Sequence, residues 1–279
     1  MYTEMEYKDT PLTLTDACKR NDFDEVNYFI KVGHSVNESD ERANSPLIWA
    51  VWNNNIEMVK ALINAGADIN YISDSGGTAL MVAVKHRYFE LAKYLLDLGA
   101  DVNIQISYKE KGALIKACDN SDLEMTQLLL KYNANVDIED SFGYTPLLDA
   151  IEAFNIPLIK ILLANGANPH HKDEDGNNAL MKVEVNLIEN NAINIAKILI
   201  KSGIDINAQN KAGETVLMKS IRQLYSDEDV ADEGEVERIQ LIKYYLSVGA
   251  DKEIKDNYGA TALMIATVGH NKKLIRLLK

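Results

Sequence analysis

Apolar residues recur along this chain in pairs of short runs that are separated by polar turns. The stretch 47–50 is apolar, and the next run repeats Ile56, Val59, Leu62 and Ile63 at helical spacing. Each pair of runs therefore predicts a helix–turn–helix unit. A unit of this size has too little interior to bury its own apolar face, so neighbouring units are expected to stack.

The turns contain capping residues at regular intervals. Each unit closes on a residue that suits a left-handed C-cap, and the next first helix opens on a residue that is favoured at an N-cap. The closing residues are Gly33, Gly66, Gly99, Asn133, Gly166, Gly203 and Gly249, and the opening residues are Ser45, Thr78, Gly112, Thr145, Asn178, Thr215 and Thr261. Successive closing residues are 33, 33, 34, 33, 37 and 46 positions apart. A period near 33 predicts a linear array of repeats.

The repeated segments resemble the ankyrin-repeat family. The chain has Thr-Pro-Leu at 145–147, Gly-Ala-Asp-Ile-Asn at 66–70 and Gly-Ala-Asp-Val-Asn at 99–103, in phase with one another. The resemblance implies an all-α solenoid of about eight helix–turn–helix repeats with short β-hairpin-like loops, as a single domain over 1–279. The expected repeats are 12–39 (capping), 40–72, 73–105, 106–139, 140–172, 173–209, 210–255 and 256–279 (truncated or capping).

The chain departs from the family pattern at one position and in three loops. The family's histidine after Thr-Pro-Leu is replaced throughout, by Ile48, Met81, Ile115, Leu148, Met181, Met218 and Met264, so apolar packing is expected to replace its hydrogen bonds. The hairpin within 105–111 has one extra residue. Four residues are inserted near 185–192, and thirteen are inserted in the seventh repeat. The last insertion contains the run 226–237, with seven acids and no bases.

Composition narrows the classes of function. The net charge is −13, and the run 226–237 supplies seven of these charges, which leaves the rest of the chain only mildly acidic. No clustered Lys/Arg stripe is present, so nucleic acid is not an expected partner. No apolar stretch of 18 residues occurs, and the amino terminus does not resemble a signal peptide. Cys18 and Cys118 occupy equivalent first-helix positions and are expected to be buried, which favours a reducing, cytoplasmic setting.

The search for catalytic or metal chemistry gives no constellation. His170 and His171 stand beside acidic residues, but there is no second ligand cluster at zinc spacing. An EF-hand alignment of the acidic run from Asp227 fails at Ala231 and Asp232. A solvated loop is the expected state of this run, with docking of a basic partner surface as the alternative. We expect no cofactor, no metal and no catalytic residue.

The resemblance implies that the hairpin tips and the outer face of each first helix form a concave binding side. Aromatic side chains at such positions are often interface anchors, although partial burial against an adjacent hairpin is the alternative for each. The candidate partner-binding residues are Arg42, Asn44, Trp52, Asn53, Lys85, His86, Tyr108, Asp119, Phe142, Tyr144, Glu152, Asp175, Arg222 and Tyr258.

The sequence therefore predicts a non-enzymatic module that binds a protein partner on its concave face. The acidic excess favours a partner with basic patches, and neither nucleic acid nor membrane binding is expected; a monomer is the default expectation. The Asn-, Ile- and Lys-rich composition favours a bacterial or viral source, with a host-directed effector or a toxin-neutralising inhibitor as roles. The alternatives are an enzyme or accessory domain with a site in the loops at Asp173 or Asp227, and a linker or membrane-surface adaptor.

Overall fold

The computed structural model describes residues 13–74, 77–105, 112–140, 143–183, 191–226 and 232–279. Tyr108 and Phe142, the extra hairpin residue within 105–111 and most of the insertion near 185–192 lie outside the described residues. The described residues form sixteen helices and no β-strand, with a single antiparallel bridge between Lys172 and Asn178. The all-α prediction is confirmed. The chain divides into two compact units, Met1–Asn135 and Val136–Lys279.

The first unit contains four helix pairs. These are α1 (Leu14–Lys19) with α2 (Phe23–Lys31), α3 (Pro46–Trp52) with α4 (Ile56–Asn64), α5 (Ala79–Lys85) with α6 (Phe89–Asp97), and α7 (Ala113–Asp119) with α8 (Leu123–Lys131). The first helices α1, α3, α5 and α7 contact one another in succession, and each also packs on the second helix of its own pair.

The second unit repeats this arrangement with less regular helices. Its pairs are α9 (Pro146–Glu152) with α10 (Ile156–Ala164), α11 (Ala179–Lys182) with α12 (Ala192–Lys201), α13 (Val216–Ser226) with α14 (Asp232–Ser247), and α15 (Ala262–Val268) with α16 (Lys272–Leu278). The succession α9, α11, α13 and α15 forms the row of first helices. Helix α14 includes residues 232–237, so the expectation that the whole acidic run is a loop is wrong for its second half. Residues 227–231 lie outside the description.

Local hydrogen bonds explain why the helices begin and end where the sequence predicts. Ser45 and Thr145 accept the backbone N–H three residues later, while Pro46 and Pro146 occupy the first helical position. The other predicted opening residues also precede first helices, and all seven closing residues have positive φ, from 62° at Asn133 to 101° at Gly249.

Small and branched apolar side chains fill the space between the first helices. Leu47, Leu80 and Leu114 are each at most 1% exposed, and Ala50 and Ala83 let adjacent helices approach closely. The residues that replace the family's histidine are buried at six of seven positions, with Met264 at 54% exposed as the exception. Cys18 and Cys118 are buried free thiols, as expected. No helix among the described residues combines the length and hydropathy needed to cross a bilayer.

Candidate functional site: an acidic cleft around a buried lysine

The hairpins between repeats are held in shape by a polar side chain at their first position. In the sixth repeat the Asp173 N–H donates to the Asn177 carbonyl oxygen at 3.0 Å. The Asp173 Oδ1 atom accepts the N–H groups of Asp175 and Asn177 at 3.0 and 2.8 Å. Asp40 and Asp256 make the same pair of bonds in their own hairpins. The hairpins therefore present their tips with a fixed backbone.

Lys182 is a buried cation at the base of the same hairpin. Helix α11 is short and carries Lys182 at its last position, where the side chain is only 9% exposed. Its Nζ atom lies 2.9 Å from Asp173 Oδ2 and 3.3 Å from Glu152 Oε1. It also donates to the Tyr144 hydroxyl and sits 4.4 Å from the centre of the Tyr144 ring. Residues of two adjacent repeats thus surround one ammonium group.

The network fixes the charge states of its members. Burial by itself would lower the pKa of Lys182, but the hydrogen bonds that its ammonium donates to Tyr144 and Asp173 outweigh burial and raise the pKa above its usual value. Burial would raise the pKa of Asp173, yet the hydrogen bonds from Lys182 and Asn177 lower it overall. Burial raises the pKa of Tyr144. The cluster therefore holds a charged lysine, an ionised aspartate and a neutral phenol.

An open cleft of about 430 Å³ lies above this network, and we call it the acidic cleft. Its lining residues are Asp140, Tyr144, Asp173, Glu174, Asp175 and Lys182. Glu174 and Asp175 are exposed at the rim. Among the described residues, no hydrogen bond or ion pair engages the side-chain carboxylate of either. The lining contains four carboxylates and one ammonium group, so the cleft has a net negative charge.

Comparison with known proteins identifies the family. A family model described as ankyrin repeats (3 copies) matches residues 14–106, 107–173 and 152–233, which together cover well over half of the chain. This chain belongs to the ankyrin-repeat family. Ankyrin repeats are generally protein–protein interaction modules and are generally not enzymes themselves.

The curated relatives are similar over parts of their length. A putative ankyrin repeat protein of fowlpox virus is 33% identical over 39% of this chain and 18% of its own length. A second fowlpox ankyrin repeat protein is 28% identical over 56% of this chain and 24% of its own length. A mouse protein named 2-5A-dependent ribonuclease is 35% identical over 24% of this chain and 9% of its own length. The chain spans about a fifth of the two viral relatives.

The ankyrin repeats bring together part of the predicted binding set in the second unit. Tyr144 and Glu152 belong to the Lys182 network, with the Tyr144 hydroxyl 3.0 Å from Glu152 Oε1, and Asp175 lies at the rim of the acidic cleft. Tyr144 is half-buried, which agrees with the alternative that an aromatic side chain at this position is partly buried by its neighbours. Tyr258 is 89% exposed at the tip of a different hairpin.

Arg222 links two hairpins of the second unit. Its Nε lies 2.7 Å from Glu214 Oε1 and its Nη2 lies 2.6 Å from Asp256 Oδ2. The side chain is 43% exposed, so these two ion pairs leave part of it accessible. Its expected role as a partner contact stays a prediction.

In the first unit, the expectation of an exposed Asn44 is wrong. Asn44 is 7% exposed, and its N–H and Nδ2 donate to the two carboxylate oxygens of Asp40 at 2.9 and 3.4 Å. Asn53 is half-buried and donates from Nδ2 to the Cys18 carbonyl oxygen at 2.8 Å, so it ties two repeats together. Arg42 and Asp119 are exposed, as expected.

Trp52, Lys85 and His86 form a second cluster in the first unit. Trp52 is 45% exposed, and its ring contacts His86 edge-on at 4.6 Å between centroids. Burial, followed by the charge of Lys85, lowers the pKa of His86. Its Nε2 atom is buried without a hydrogen-bond partner among the described residues.

Sequence reasoning missed Lys182 and assigned Asp173 only to an acidic loop. A signal for the pair exists in the repeat register. Asp40 precedes Trp49 by nine residues, as Asp173 precedes Lys182, and the Trp49 Nε1 donates to Asp40 Oδ2 at 2.9 Å. A polar donor nine residues after a hairpin aspartate therefore indicates a hydrogen bond to that aspartate across the base of the hairpin.

The histidine-containing hairpin has a packing role in the second unit. The His171 Nε2 atom lies 2.9 Å from the Gly143 carbonyl oxygen, which connects neighbouring hairpins. Among the described residues, no group of three or more His, Cys, Asp or Glu side chains is arranged to hold a metal ion.

Proposed function

We propose that this chain is a non-enzymatic binding module that holds a basic segment of a protein partner against the acidic cleft. The observation that carries the proposal is the rim of the cleft, where Glu174 and Asp175 present exposed carboxylates beside the Tyr144 ring. A lysine or arginine side chain can place its aliphatic stem on the ring and its charged end among the carboxylates.

Rigid presentation supports binding to this cleft. The rim sits on a hairpin whose backbone is fixed by Asp173, and the floor is fixed by Lys182. A preformed surface loses little conformational entropy on binding, so more of the contact energy appears as affinity. The negative rim also steers a basic segment during encounter.

The same geometry argues against a catalytic role for the buried pair. A lysine that acts as a base or nucleophile needs a lowered pKa, whereas the pKa of Lys182 is raised. The oxygens of Asp173 already accept four hydrogen bonds, from Asp175 N, Asn177 N, Asn177 Nδ2 and Lys182 Nζ. These hydrogen bonds have a structural role, because they hold the hairpin and the floor of the cleft in place.

The test uses a fluorescein-labelled peptide of Arg and Lys residues, titrated with the intact chain in an anisotropy assay. Neutralising the rim with Glu174→Gln and Asp175→Asn is expected to weaken binding about tenfold or more. A control variant with Glu90→Gln and Glu124→Gln removes the same charge from exposed positions in the first turns of α6 and α8. Equal affinities for the rim and control variants would contradict the proposal.

Partner identity is tested by affinity capture from the native cell with the double variant Trp52→Ala and Tyr144→Ala as control. An effector and a toxin-neutralising inhibitor are both forms of this proposal, and the captured partner distinguishes them. If the double variant retains every partner, the surfaces around Trp52 and Tyr144 are not the binding surfaces. Turnover that requires Glu174 and Asp175 would favour the enzymatic alternative.

A further inference from the structure

Two lysine side chains flank two tryptophan rings across three adjacent first helices of the first unit. Lys19 at the end of α1 places Nζ 5.4 Å from the centre of the Trp49 ring, and Lys85 at the end of α5 places Nζ 5.9 Å from the Trp52 ring. The two indole rings on α3 contact each other edge-on at 6.3 Å. We call Lys19, Trp49, Trp52 and Lys85 the tryptophan row.

Contacts behind the tryptophan row hold its rings in place. The Trp49 Nε1 donates to Asp40 Oδ2 at 2.9 Å, which fixes the ring plane. Trp52 contacts His86 edge-on, and His86 in turn stacks on Tyr88 at 5.5 Å between centroids. The Tyr88 hydroxyl donates to the Trp52 carbonyl oxygen at 3.5 Å. The rings are therefore preordered for a ligand.

The charge of the row differs from that of the molecule. The chain has a net charge of −13. Two other cations of the first unit, Lys60 and Arg20, are paired with Glu57 and Glu25. Among the described residues, by contrast, no carboxylate lies within ion-pair distance of Lys19 or Lys85. The row thus combines two lysines outside ion pairs with the exposed surface of Trp52, while the Asp40 carboxylate next to the row accepts the Trp49 N–H.

We propose that the tryptophan row docks an acidic segment of a protein partner, with an apolar side chain of that segment seated on Trp52. Carboxylates on either side of the apolar residue would contact Lys19 and Lys85, which stand on opposite sides of the two rings. Tryptophan supplies a large contact area at low entropic cost and is typical of binding hot spots.

Charge complementarity selects an acidic peptide over other occupants. A basic segment would be repelled by both lysines. A nucleic acid strand draws its affinity from many phosphate contacts along a positive groove, and two lysines on an acidic protein do not provide one. The row lies in the first unit and the acidic cleft in the second, so this inference does not depend on the proposed function.

The two tryptophans of the row are the only ones in the chain, so intrinsic tryptophan fluorescence reports on this surface alone. The probe is a synthetic peptide of Glu and Asp residues with two central Leu residues. Its addition to the intact chain is expected to shift the emission to shorter wavelength in a saturable way. The affinity is expected to fall several-fold when salt rises from about 0.05 M to about 0.3 M, because the contacts are exposed.

Matched variants and probes decide the outcome. Lys19→Glu with Lys85→Glu is expected to weaken binding about tenfold or more, while Lys31→Glu with Lys93→Glu has the same net charge and should retain binding. Circular dichroism checks that both variants are folded. A loss of equal size in the two variants would overturn the proposal. The proposal would also be overturned if another probe bound as tightly as the acidic peptide or more tightly. These probes are the same peptide with Leu replaced by Ser, a Lys-rich peptide and oligothymidine.

Discussion

Replacing Lys182 by methionine removes the buried ammonium group and keeps most of the side-chain volume. Breaking a buried ion pair by removing one partner costs about 3–5 kcal/mol, because the remaining charge is left uncompensated. Here Asp173 is 5% exposed but keeps three N–H donors. Glu152 is 36% exposed and can turn towards water. We therefore expect a loss at or just below the lower end, about 2–3 kcal/mol.

The pH dependence of this loss has a definite sign. The folded-state pKa of Asp173 lies below its ordinary value of 3.8. The contribution of Asp173 to folding stability is therefore complete above pH 3.8 and is lost as the pH falls through the folded-state pKa. The pKa of Lys182 is raised, so its contribution is lost only at pH above its ordinary value of 10.5. The stability difference between wild type and Lys182→Met should be constant from about pH 5 to about pH 9 and shrink below pH 3.8.

Equilibrium urea unfolding followed by far-ultraviolet circular dichroism measures the difference, because tryptophan fluorescence would report only on the first unit. Lys160→Met on α10 is the matched control, since it makes the same substitution at an exposed position and is expected to change stability by less than about 0.5 kcal/mol. If Lys182→Met is as stable as this control at neutral pH, the network contributes no more than a surface ion pair and the reasoning fails.

Two further predictions concern backbone strain and thiol burial. Gly66→Ala should lower the free energy of unfolding by about 1 kcal/mol, because φ is 93°. The loss is limited to backbone strain, since a Cβ at Gly66 would meet no atom within 4 Å. Gly213→Ala should cost more, since a Cβ there would also lie 2.5 Å from Asn257 Oδ1; urea unfolding with equal midpoints would contradict this. Burial raises the pKa of Cys18 to about 12, so a disulfide reagent should modify this thiol far more slowly in the native chain than in urea. Equal rates, with peptide mapping to locate the label, would argue against its burial.

The parts of the fold that depend on local chemistry were predictable from the sequence. N-cap side chains bond to N–H groups three residues away, and C-cap residues need positive φ, so both signals lie within one turn. Ser45 and Asn133 are examples of each. The acidic run was harder, because its charge suggests a solvated loop, whereas apolar residues such as Ile239 and Leu241 hold the following turns of α14 in the core.

The binding set was only partly predictable because exposure depends on the neighbouring repeat. Trp52 occupies its first-helix position and remains 45% exposed. Asn44 and Tyr144 occupy equivalent positions before their helices, and the N–H of each closes its hairpin on an aspartate. Asn44 is nevertheless buried, while the half-buried Tyr144 covers Lys182. No period or composition distinguishes these outcomes, since each depends on the side chain that the next repeat supplies.

The repeat register separates what holds the hairpins from what recognises a partner. A polar acceptor occupies the first hairpin position, and where it is an aspartate it accepts an indole N–H from Trp49 in one repeat and an ammonium N–H from Lys182 in another, each at 2.9 Å. The acceptor and the N-cap stay in place in both repeats, although α11 is shorter than α3. The exchange of donor changes the surface completely, since the indole belongs to a cationic aromatic row and the lysine forms the floor of an acidic cleft. One repeat scaffold can therefore display opposite charge in its two units through the side chain that bonds to the hairpin aspartate.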